Sequence, residues 1–367
     1  MTDHESCIAL NSISGIGYVT FSELVKHFGS PSKIAGHAKC DYLEVKRVNE
    51  KLAAELENTD LERIMARERD MAMQRDIQII AITDPEYPAI LREIPTPPIV
   101  LYVAGKLPSF ERSLGVVGSR EITSYAKEQT RNISFDAAAN GFVIVSGLAL
   151  GADKCAHRAA IEANGITAAV IGSGLAKIYP AEHTELAREI IASGGAVISE
   201  FPMQFPVMST GFARRNRIIA GLSRGVLITE AGLKSGAMIT AEYAQKFNRQ
   251  LFAVPGRVDN PNVLGCHKLI KEGAELVNNF SDISSKFGMG TLFSYAAKNK
   301  EEQKAPEFES EEEKLIWQKI DFDGTSFDQL MIQLNIPVGI LTANLITLEM
   351  RGLIESCGAN TYRKRSL

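Results

Sequence analysis

The sequence predicts an α/β protein with a doubly wound, mostly parallel central sheet, flanked by a small N-terminal helical domain and a C-terminal winged helix. Short apolar runs alternate with amphipathic helical stretches, glycine-rich turns follow successive runs, and the periodicity changes at both ends of the chain. Strands that alternate with helices form βαβ units, which build a layered parallel sheet. With 45% hydrophobic and 23% charged residues in a chain of 367, the composition fits a globular protein of two or three domains.

The predicted elements of the central region follow one another regularly. Strands are predicted at Ile77–Ile82, Ile99–Val103, Leu114–Gly118, Phe142–Ser146, Thr167–Ile171, Ala196–Ser199, Gly225–Thr229 and Leu251–Val254. Helices are predicted to begin near Ser124, Asp153, Glu182, Gly211 and Gly236. Open α/β sheets bind ligands beyond the carboxyl ends of their strands, so the loops at those ends are the expected ligand crevice.

The first part of the chain is predicted to form a small helical domain at residues 1–68, followed by the sheet domain at residues 69–290. Gly15-Ile16-Gly17 separates two helical stretches in the manner of a helix-hairpin-helix or SAM-like domain. In such hairpins the glycines leave backbone N–H groups free to meet a DNA phosphate. The same pattern also occurs in domains that only dock on other proteins.

The end of the chain is predicted to form a separate winged helix. Residues 291–308 are charge-rich, which is typical of a flexible linker, and residues 309–367 carry helix, helix-turn-helix and hairpin patterns. No Lys or Arg lies between Lys319 and Arg351, and only Asn344 is expected to project from the recognition helix. Base readout in a duplex uses basic and amide side chains, which this helix largely lacks. We therefore expect this domain to contact protein or to play a weak accessory role rather than to bind a specific duplex.

The most basic stretch lies between residues 211 and 229. Within one predicted helical turn it contains Arg214, Arg215, Asn216 and Arg217. No acidic residue occurs between Glu200 and Glu230, so nothing nearby in the sequence is expected to neutralise these arginines. Arginine is a permanently charged, planar donor suited to phosphate. The cluster indicates a phosphate site on the sheet; the alternative is a solvated helix face whose arginines pair with acids elsewhere in the fold.

Catalytic and metal chemistry have little support in the sequence, because neither the GxGxxG nor the P-loop pattern is present. Asp153 and His157, one helical turn apart, favour capping and packing over a metal pair. Cys155 is expected to be a small buried residue rather than a nucleophile. We expect His183 to be exposed in a first helical turn, and Glu230 to accept hydrogen bonds from loop amides rather than to act on a nucleotide.

Net charge and cysteine content limit the kinds of binding site and the compartment that the sequence allows. The net charge of −4 means that any nucleic-acid binding must come from local basic patches. The five cysteines form no CxxC pair, which indicates free thiols in a reducing compartment rather than structural zinc. No leader pattern and no apolar run of about 20 residues is present, so we predict a cytoplasmic protein without a membrane span.

Several motifs coincide with the predicted strand ends: Gly118-Ser-Arg120, Ser146-Gly-Leu-Ala-Leu-Gly-Ala-Asp153, Tyr179-Pro180, Ser199-Glu200, Arg214-Arg-Asn-Arg-Ile-Ile-Ala-Gly-Leu-Ser223, Glu230-Ala231 and Val254-Pro-Gly256. This set resembles the DNA-processing protein A family (DprA, also called Smf) over roughly residues 76 to 280. The resemblance implies an extended Rossmann-like fold that binds single-stranded DNA without sequence preference. It also implies a homodimer that is not a catalyst and that uses no cofactor or metal.

The resemblance further implies a role in natural transformation. Family members protect incoming single strands and load the RecA recombinase onto them, displacing single-strand-binding protein. Carried over by motif, the DNA-contacting positions are Gly118, Ser119, Arg120, Ser146, Gly147, Arg214, Arg215, Asn216 and Arg217, with Lys154 added from its place beside Asp153.

Two further interpretations concern the same region. Phe201, Phe205 and Phe212 are candidates for stacking on bases, although packing in the core is the favoured interpretation for aromatic residues in such loops. The alternative function is that of a nucleotide-cleaving enzyme resembling phosphoribohydrolases. Those enzymes carry a PGGxGT-type turn, from which residues 229–236 depart.

Overall fold

The computed structural model describes residues 1–288, 308, 310–321, 324–358 and 360–364. The chain divides into two compact units, residues 1–294 and residues 295–367. The predicted linker at residues 291–308 lies outside the described residues apart from Phe308. Within the described residues, no helix combines the length and the apolar character needed to cross a membrane.

The N-terminal helices belong to the larger unit. They are α1 (Asp3–Asn11), α2 (Tyr18–Phe28), α3 (Lys39–Leu43), α4 (Glu50–Asn58) and α5 (Leu61–Met73). Thr2 and Glu5 form a capping box at the start of α1, and Gly17 precedes α2. Buried Leu10, Leu24 and Tyr42 belong to the same hydrophobic cluster as Tyr102 of the sheet. The helices therefore pack on the sheet, and α5 runs through the predicted boundary at residue 68.

The sheet of the larger unit has nine strands. They are β1 (Ile77–Ala81), β2 (Val100–Gly105), β3 (Ser113–Val117), β4 (Val143–Ser146), β5 (Thr167–Val170), β6 (Ala196–Ser199), β7 (Gly225–Ile228), β8 (Gln250–Ala253) and β9 (Glu275–Leu276). Their order is β1-β2-β6-β5-β4-β3-β7-β8-β9. β1 and β2 run antiparallel to each other, and β2 runs antiparallel to β6. The other pairs are parallel, as the βαβ pattern predicts.

Helices cover both faces of this sheet. They are α6 (Ala89–Arg92), α7 (Ser124–Ala139), α8 (Ala152–Glu162), α9 (Thr184–Ala192), α10 (Ser209–Gly221), α11 (Gly236–Lys246), α12 (Leu264–Lys271) and α13 (Phe280–Lys286). Leu114 and Val116 of β3 point into one core cluster, whereas Val117 points into another. A strand buried on both faces reads as a continuous apolar run, which explains why these strands were predictable. The predicted helix starts lie within two residues of the observed ones.

The smaller unit is the predicted winged helix. Its elements are α14 (Glu311–Lys319), β10 (Thr325–Ser326), α15 (Phe327–Leu334), α16 (Val338–Met350), β11 (Ile354–Ser356) and β12 (Thr361–Lys364). Ser326 and Gln329 form a capping box at α15, and β10 and β11 flank β12 in the sheet. The core of the unit contains Leu341 and Leu345 of α16. The exposed side of α16 also carries apolar residues, among them Met350, which is 84% exposed. The Asn344 amide donates to a carbonyl of its own helix.

Candidate nucleic-acid interface

The crevice lies where the sheet reverses its winding direction. β3 has β4 on one side and β7 on the other, and all three strands are parallel. Open α/β sheets bind their ligands at this point, beyond the carboxyl ends of the strands. The loop after β3 and the start of α8 touch there, because a Cβ on Gly151 would collide with the backbone of Arg120.

The loop after β3 is held close to its neighbours. A Cβ at Gly118 would lie 2.7 Å from both Ala152 Cβ and Thr229 Oγ1, so only glycine fits. Ala152 N donates to Ser119 O at 3.1 Å, which ties the loop to the start of α8. Ser119 Oγ donates to Glu121 O at 2.9 Å, so this hydroxyl shapes the turn. These contacts fix the backbone from which Arg120 projects.

Arg120 is an exposed cation at the crevice. It has no acidic partner among the residues that the structure describes, and its guanidinium carbon lies 5.7 Å from the ring centroid of half-buried Phe212. The ring centroid of Tyr179, a residue that its motif alone did not place at the site, lies 5.6 Å from that of Phe212. A small pocket of about 50 Å³ opens here, lined by Arg120, Gly147, Ala149, Leu150, Tyr179, Pro180, Phe212 and Arg215.

Arg215 forms a buried charged wall of this pocket. Its Nη1 donates to Val170 O at 2.6 Å, and its guanidinium packs so closely over Gly147 that a Cβ there would overlap it. Burial lowers the pKa of Arg215 to about 10, against the opposing effect of the Asp153 charge, so the side chain stays protonated at neutral pH. Burial raises the pKa of Asp153, against the opposing effect of Arg215.

Ser146 and Gly147 have their polar groups engaged inside the protein. Ser146 Oγ donates to Val116 O at 2.6 Å, and the side chain is fully buried. Gly147 N donates to Asp153 Oδ2 at 3.1 Å. Both residues therefore shape the turn after β4, and their predicted contact with DNA stays a prediction.

The alternative interpretation, that arginines of α10 pair with an acid elsewhere in the fold, is confirmed for Arg214 and Arg217, whose partner is Glu200. Its carboxylate is buried, and Oε2 accepts from Arg214 Nη2 at 3.0 Å and from Arg217 Nη2. Arg217 has a 9% exposed side chain and also donates to Thr96 O at 2.7 Å. The side chain of Arg214 is 46% exposed, and the amide of half-buried Asn216 donates to a backbone carbonyl of α11. Of these residues, Arg214 is the one that reaches solvent.

The aromatic candidates divide into two groups. Phe201 is buried and stacks on Phe205 with centroids 4.4 Å apart, as the packing interpretation predicts. The Arg214 guanidinium carbon lies 5.2 Å from the Phe201 centroid, so this ring supports the arginine. Phe212 is half-buried beside the pocket and retains exposed ring surface. Lys154, on the first turn of α8, is exposed.

Glu230, the carboxylate considered for nucleotide chemistry, is fully buried after β7. It accepts hydrogen bonds from Thr123 N at 3.2 Å and from Thr123 Oγ1 at 2.5 Å. This confirms the interpretation that Glu230 binds a neighbouring loop. Because Thr123 is the N-cap of α7, the carboxylate also faces the positive end of a helix dipole. The contacts of Glu230 are those of a structural residue.

The two histidines near the crevice are also internal. Thr167 Oγ1 donates its proton to Ile144 O at 2.7 Å, so His157 Nδ1, 2.7 Å from the same oxygen, must be the protonated nitrogen. Burial lowers the pKa of His157 to about 3. The expectation that His183 is exposed is wrong: it is buried, and its Nδ1 donates to Leu148 O at 2.8 Å. The described part of the chain contains no group of three side chains suited to a metal.

The fold and site together define an extended Rossmann-like protein with a winged helix and a partly basic crevice at the centre of its sheet. The family model for DNA recombination-mediator protein A matches residues 78–288, more than half of the chain, and that for the DprA winged helix domain matches residues 300–360. The chain therefore belongs to the DprA (Smf) family.

Individual relatives agree with this assignment. The chain is 32% identical to protein Smf from Synechocystis over 98% of both chains. It is 39% identical to the DNA processing protein DprA from Bacillus subtilis, over 61% of this chain and 74% of that protein. The X-ray structure of DprA from Streptococcus pneumoniae aligns with a TM-score of 0.68 at 31% identity, covering 79% of this chain and 99% of that chain. A Helicobacter pylori DprA structure, described for its single-stranded DNA binding mode, aligns with a TM-score of 0.52 at 31% identity, covering 57% and 95%.

Proposed function

We propose that the chain binds single-stranded DNA without sequence preference, through the crevice at the carboxyl ends of β3 and β4. The observation that supports this most directly is the pair of solvent-reaching arginines, Arg120 and Arg214, each beside an aromatic ring. Arginines that track phosphates give binding that depends on salt and tolerates any sequence. Aromatic rings add stacking surface that every base can use.

The ten predicted site residues take different parts in this proposal. Arg120 and Arg214, together with exposed Lys154, contact phosphates. Half-buried Phe212 and exposed Tyr179 offer ring surface to a base at the pocket. The other seven hold the backbone and the buried charged wall of the pocket in place. Gly118 does so because only glycine fits there. The remaining six have side-chain or backbone groups that are hydrogen-bonded within the protein: Ser119, Ser146, Gly147, Arg215, Asn216 and Arg217.

We further propose that the protein is a non-catalytic recombination mediator. It would act as a homodimer in natural transformation, protecting incoming strands and loading RecA recombinase in place of single-strand-binding protein. Membership of a family named for recombination mediation supports this role. The engagement of Glu230 by Thr123 argues against the nucleotide-cleaving alternative. RecA filament formation on strands coated with single-strand-binding protein, with and without this protein, tests the loading step.

Fluorescence anisotropy with an oligo-dT strand and a matched duplex, over a salt series, tests the binding itself. We expect preference for the single strand and an affinity that falls with salt. Arg120→Glu should abolish measurable binding, because it places a carboxylate where a phosphate is expected. Arg188→Glu is the matched control, since Arg188 is a 71% exposed arginine paired with Glu185 on α9. Unchanged affinity in folded Arg120→Glu protein would refute the assignment.

A further inference from the structure

A buried carboxylate outside the crevice connects the N-terminal helices to the sheet. Glu68 on α5 is 7% exposed, and its Oε2 accepts from Met203 N at 2.9 Å and from Tyr102 Oη at 3.0 Å. Burial and the Glu68 charge raise the pKa of Tyr102 well above its usual value, so the phenol remains a donor. No basic side chain pairs with Glu68 in the described part of the chain. A buried carboxylate held by neutral donors is costly to misplace, so Glu68 fixes the position of Met203.

A second N-terminal helix holds the same segment. We call residues 200–205 the bridging loop. Asn11, at the end of α1, donates its side-chain amide to Glu200 O at 3.0 Å. The backbone of the bridging loop is therefore held at Glu200 by α1 and at Met203 by α5. Neither helix contributes a residue to the pocket described above.

The bridging loop in turn holds the exposed arginine of α10. Glu200 Oε2 accepts from Arg214 Nη2 at 3.0 Å, and the Phe201 ring lies beside the guanidinium. Phe201 is itself stacked on Phe205, which belongs to the same loop. A shift of the bridging loop would move the carboxylate and the ring together, and both partners of Arg214 would be misplaced.

We propose that Glu68 is a positioning residue for single-strand binding, which fixes the bridging loop and thereby directs Arg214 toward phosphate. The N-terminal helices then contribute to DNA affinity through contacts inside the protein. This inference rests on the proposed function, and specifically on the phosphate contact of Arg214. It makes Glu68 and Arg214 energetically coupled, although they lie on different elements and have no direct contact in the described structure.

The test is a double-mutant cycle on the full chain, measured by anisotropy with oligo-dT at several salt concentrations. Arg214→Gln should weaken binding about tenfold, the effect of one charge-assisted contact. Glu68→Ala should weaken it about fivefold, and the double variant should be no weaker than Arg214→Gln alone. In Arg214→Gln and in the double variant the slope of log affinity against log salt should fall by about 0.7, the value for one phosphate contact on a single strand, and in Glu68→Ala it should fall by part of that amount.

Two controls separate positioning from general destabilisation. Glu62→Ala removes an exposed carboxylate from the same helix. Tyr42→Phe removes a buried hydrogen bond to Ile34 O at 2.6 Å, within the N-terminal helices but not at the bridging loop. Both should bind DNA within about twofold of the wild type. If Glu68→Ala does not fold, Glu68→Gln keeps the shape and one acceptor, and we expect an intermediate loss of affinity with the same non-additivity.

The outcomes distinguish this inference from the proposed function. Additive losses in the cycle, or an unchanged salt slope in Glu68→Ala, would overturn the positioning role while leaving Arg214 as a phosphate contact. A normal affinity in Arg214→Gln would remove the contact on which the inference depends. A normal affinity in Arg120→Glu as well would overturn the proposed function itself.

Discussion

Replacing Gly147 with alanine tests the packing at the floor of the crevice. A Cβ at this position would lie 2.7 Å from Arg215 Nη2 and closer still to Nη1 and Cζ, so the guanidinium must move. Because Arg215 is buried, the movement breaks its 2.6 Å hydrogen bond to Val170 O and disturbs its interaction with Asp153. A hydrogen bond to a charged group contributes about 1.5–3 kcal/mol, and we expect the free energy of unfolding to fall by at least about 2 kcal/mol. At an unfolding entropy of about 2.1 cal/mol/K per residue, that corresponds to a decrease in Tm of about 3 °C for the unit formed by residues 1–294.

Thermal and urea denaturation of Gly147→Ala beside Gly236→Ala measures this effect. Gly236 is the first residue of α11, and no atom lies within 4 Å of a Cβ built there. The same chemical change should therefore leave stability unchanged or raise it slightly at Gly236. If Gly147→Ala is as stable as the wild type, the arginine has an alternative position of equal energy. Arg215 would then not be a fixed wall of the pocket.

Two further predictions concern buried charge and pH. Glu200→Ala should lower the free energy of unfolding by about 3–5 kcal/mol, because it leaves buried Arg217 unpaired. The control Glu185→Ala removes an exposed ion pair and should lower the free energy of unfolding by less than about 1 kcal/mol. Equal losses for the two variants in urea titrations would contradict this prediction. The pKa of His157 is about 3 in the folded protein against an ordinary 6.5, so the unfolded chain binds the extra proton between these values. The contribution of neutral His157 to the free energy of unfolding is therefore complete above about pH 6.5, and it is lost by up to about 1.4 kcal/mol per pH unit as the pH falls toward 3. The free energy of unfolding of wild type and His157→Gln, measured over a pH series, tests this. The same dependence on pH in both proteins would exclude His157 as the cause.

The regular elements were predictable because local patterns determine them. Strands such as β3 and β7 are buried on both faces and appear as apolar runs. β9 was not predicted, since Glu275–Leu276 is too short to show any periodicity. The antiparallel pairing of β2 with β6 depends on tertiary contacts, which no local pattern contains.

The candidate site was predictable in position but not in detail. Arg120 could be selected because it follows a predicted strand, and Arg214 because it lies in the predicted basic helix. That Arg217 would be buried on Glu200 depends on how the loop after β6 folds back over α10, and this is not encoded by spacing. The predicted exposure of His183 was wrong for a similar reason, because the residue is buried against the Leu148 carbonyl, which lies on a loop distant in sequence. Burial of polar groups is decided by neighbours that are distant in sequence.

The helix α16 of the winged unit carries no basic residue, and this has a consequence for experiments on the whole chain. With no Lys or Arg between Lys319 and Arg351, α16 has no cation with which to displace the counterions of a nucleic acid. Several of its outward residues, among them Ile346 and Met350, are apolar. Burial of apolar surface is strengthened by salts such as sulfate, whereas arginine–phosphate contacts are weakened by screening. Added sulfate therefore strengthens apolar contacts and weakens arginine–phosphate contacts, so a titration with ammonium sulfate separates contacts made by α16 from those made by the crevice.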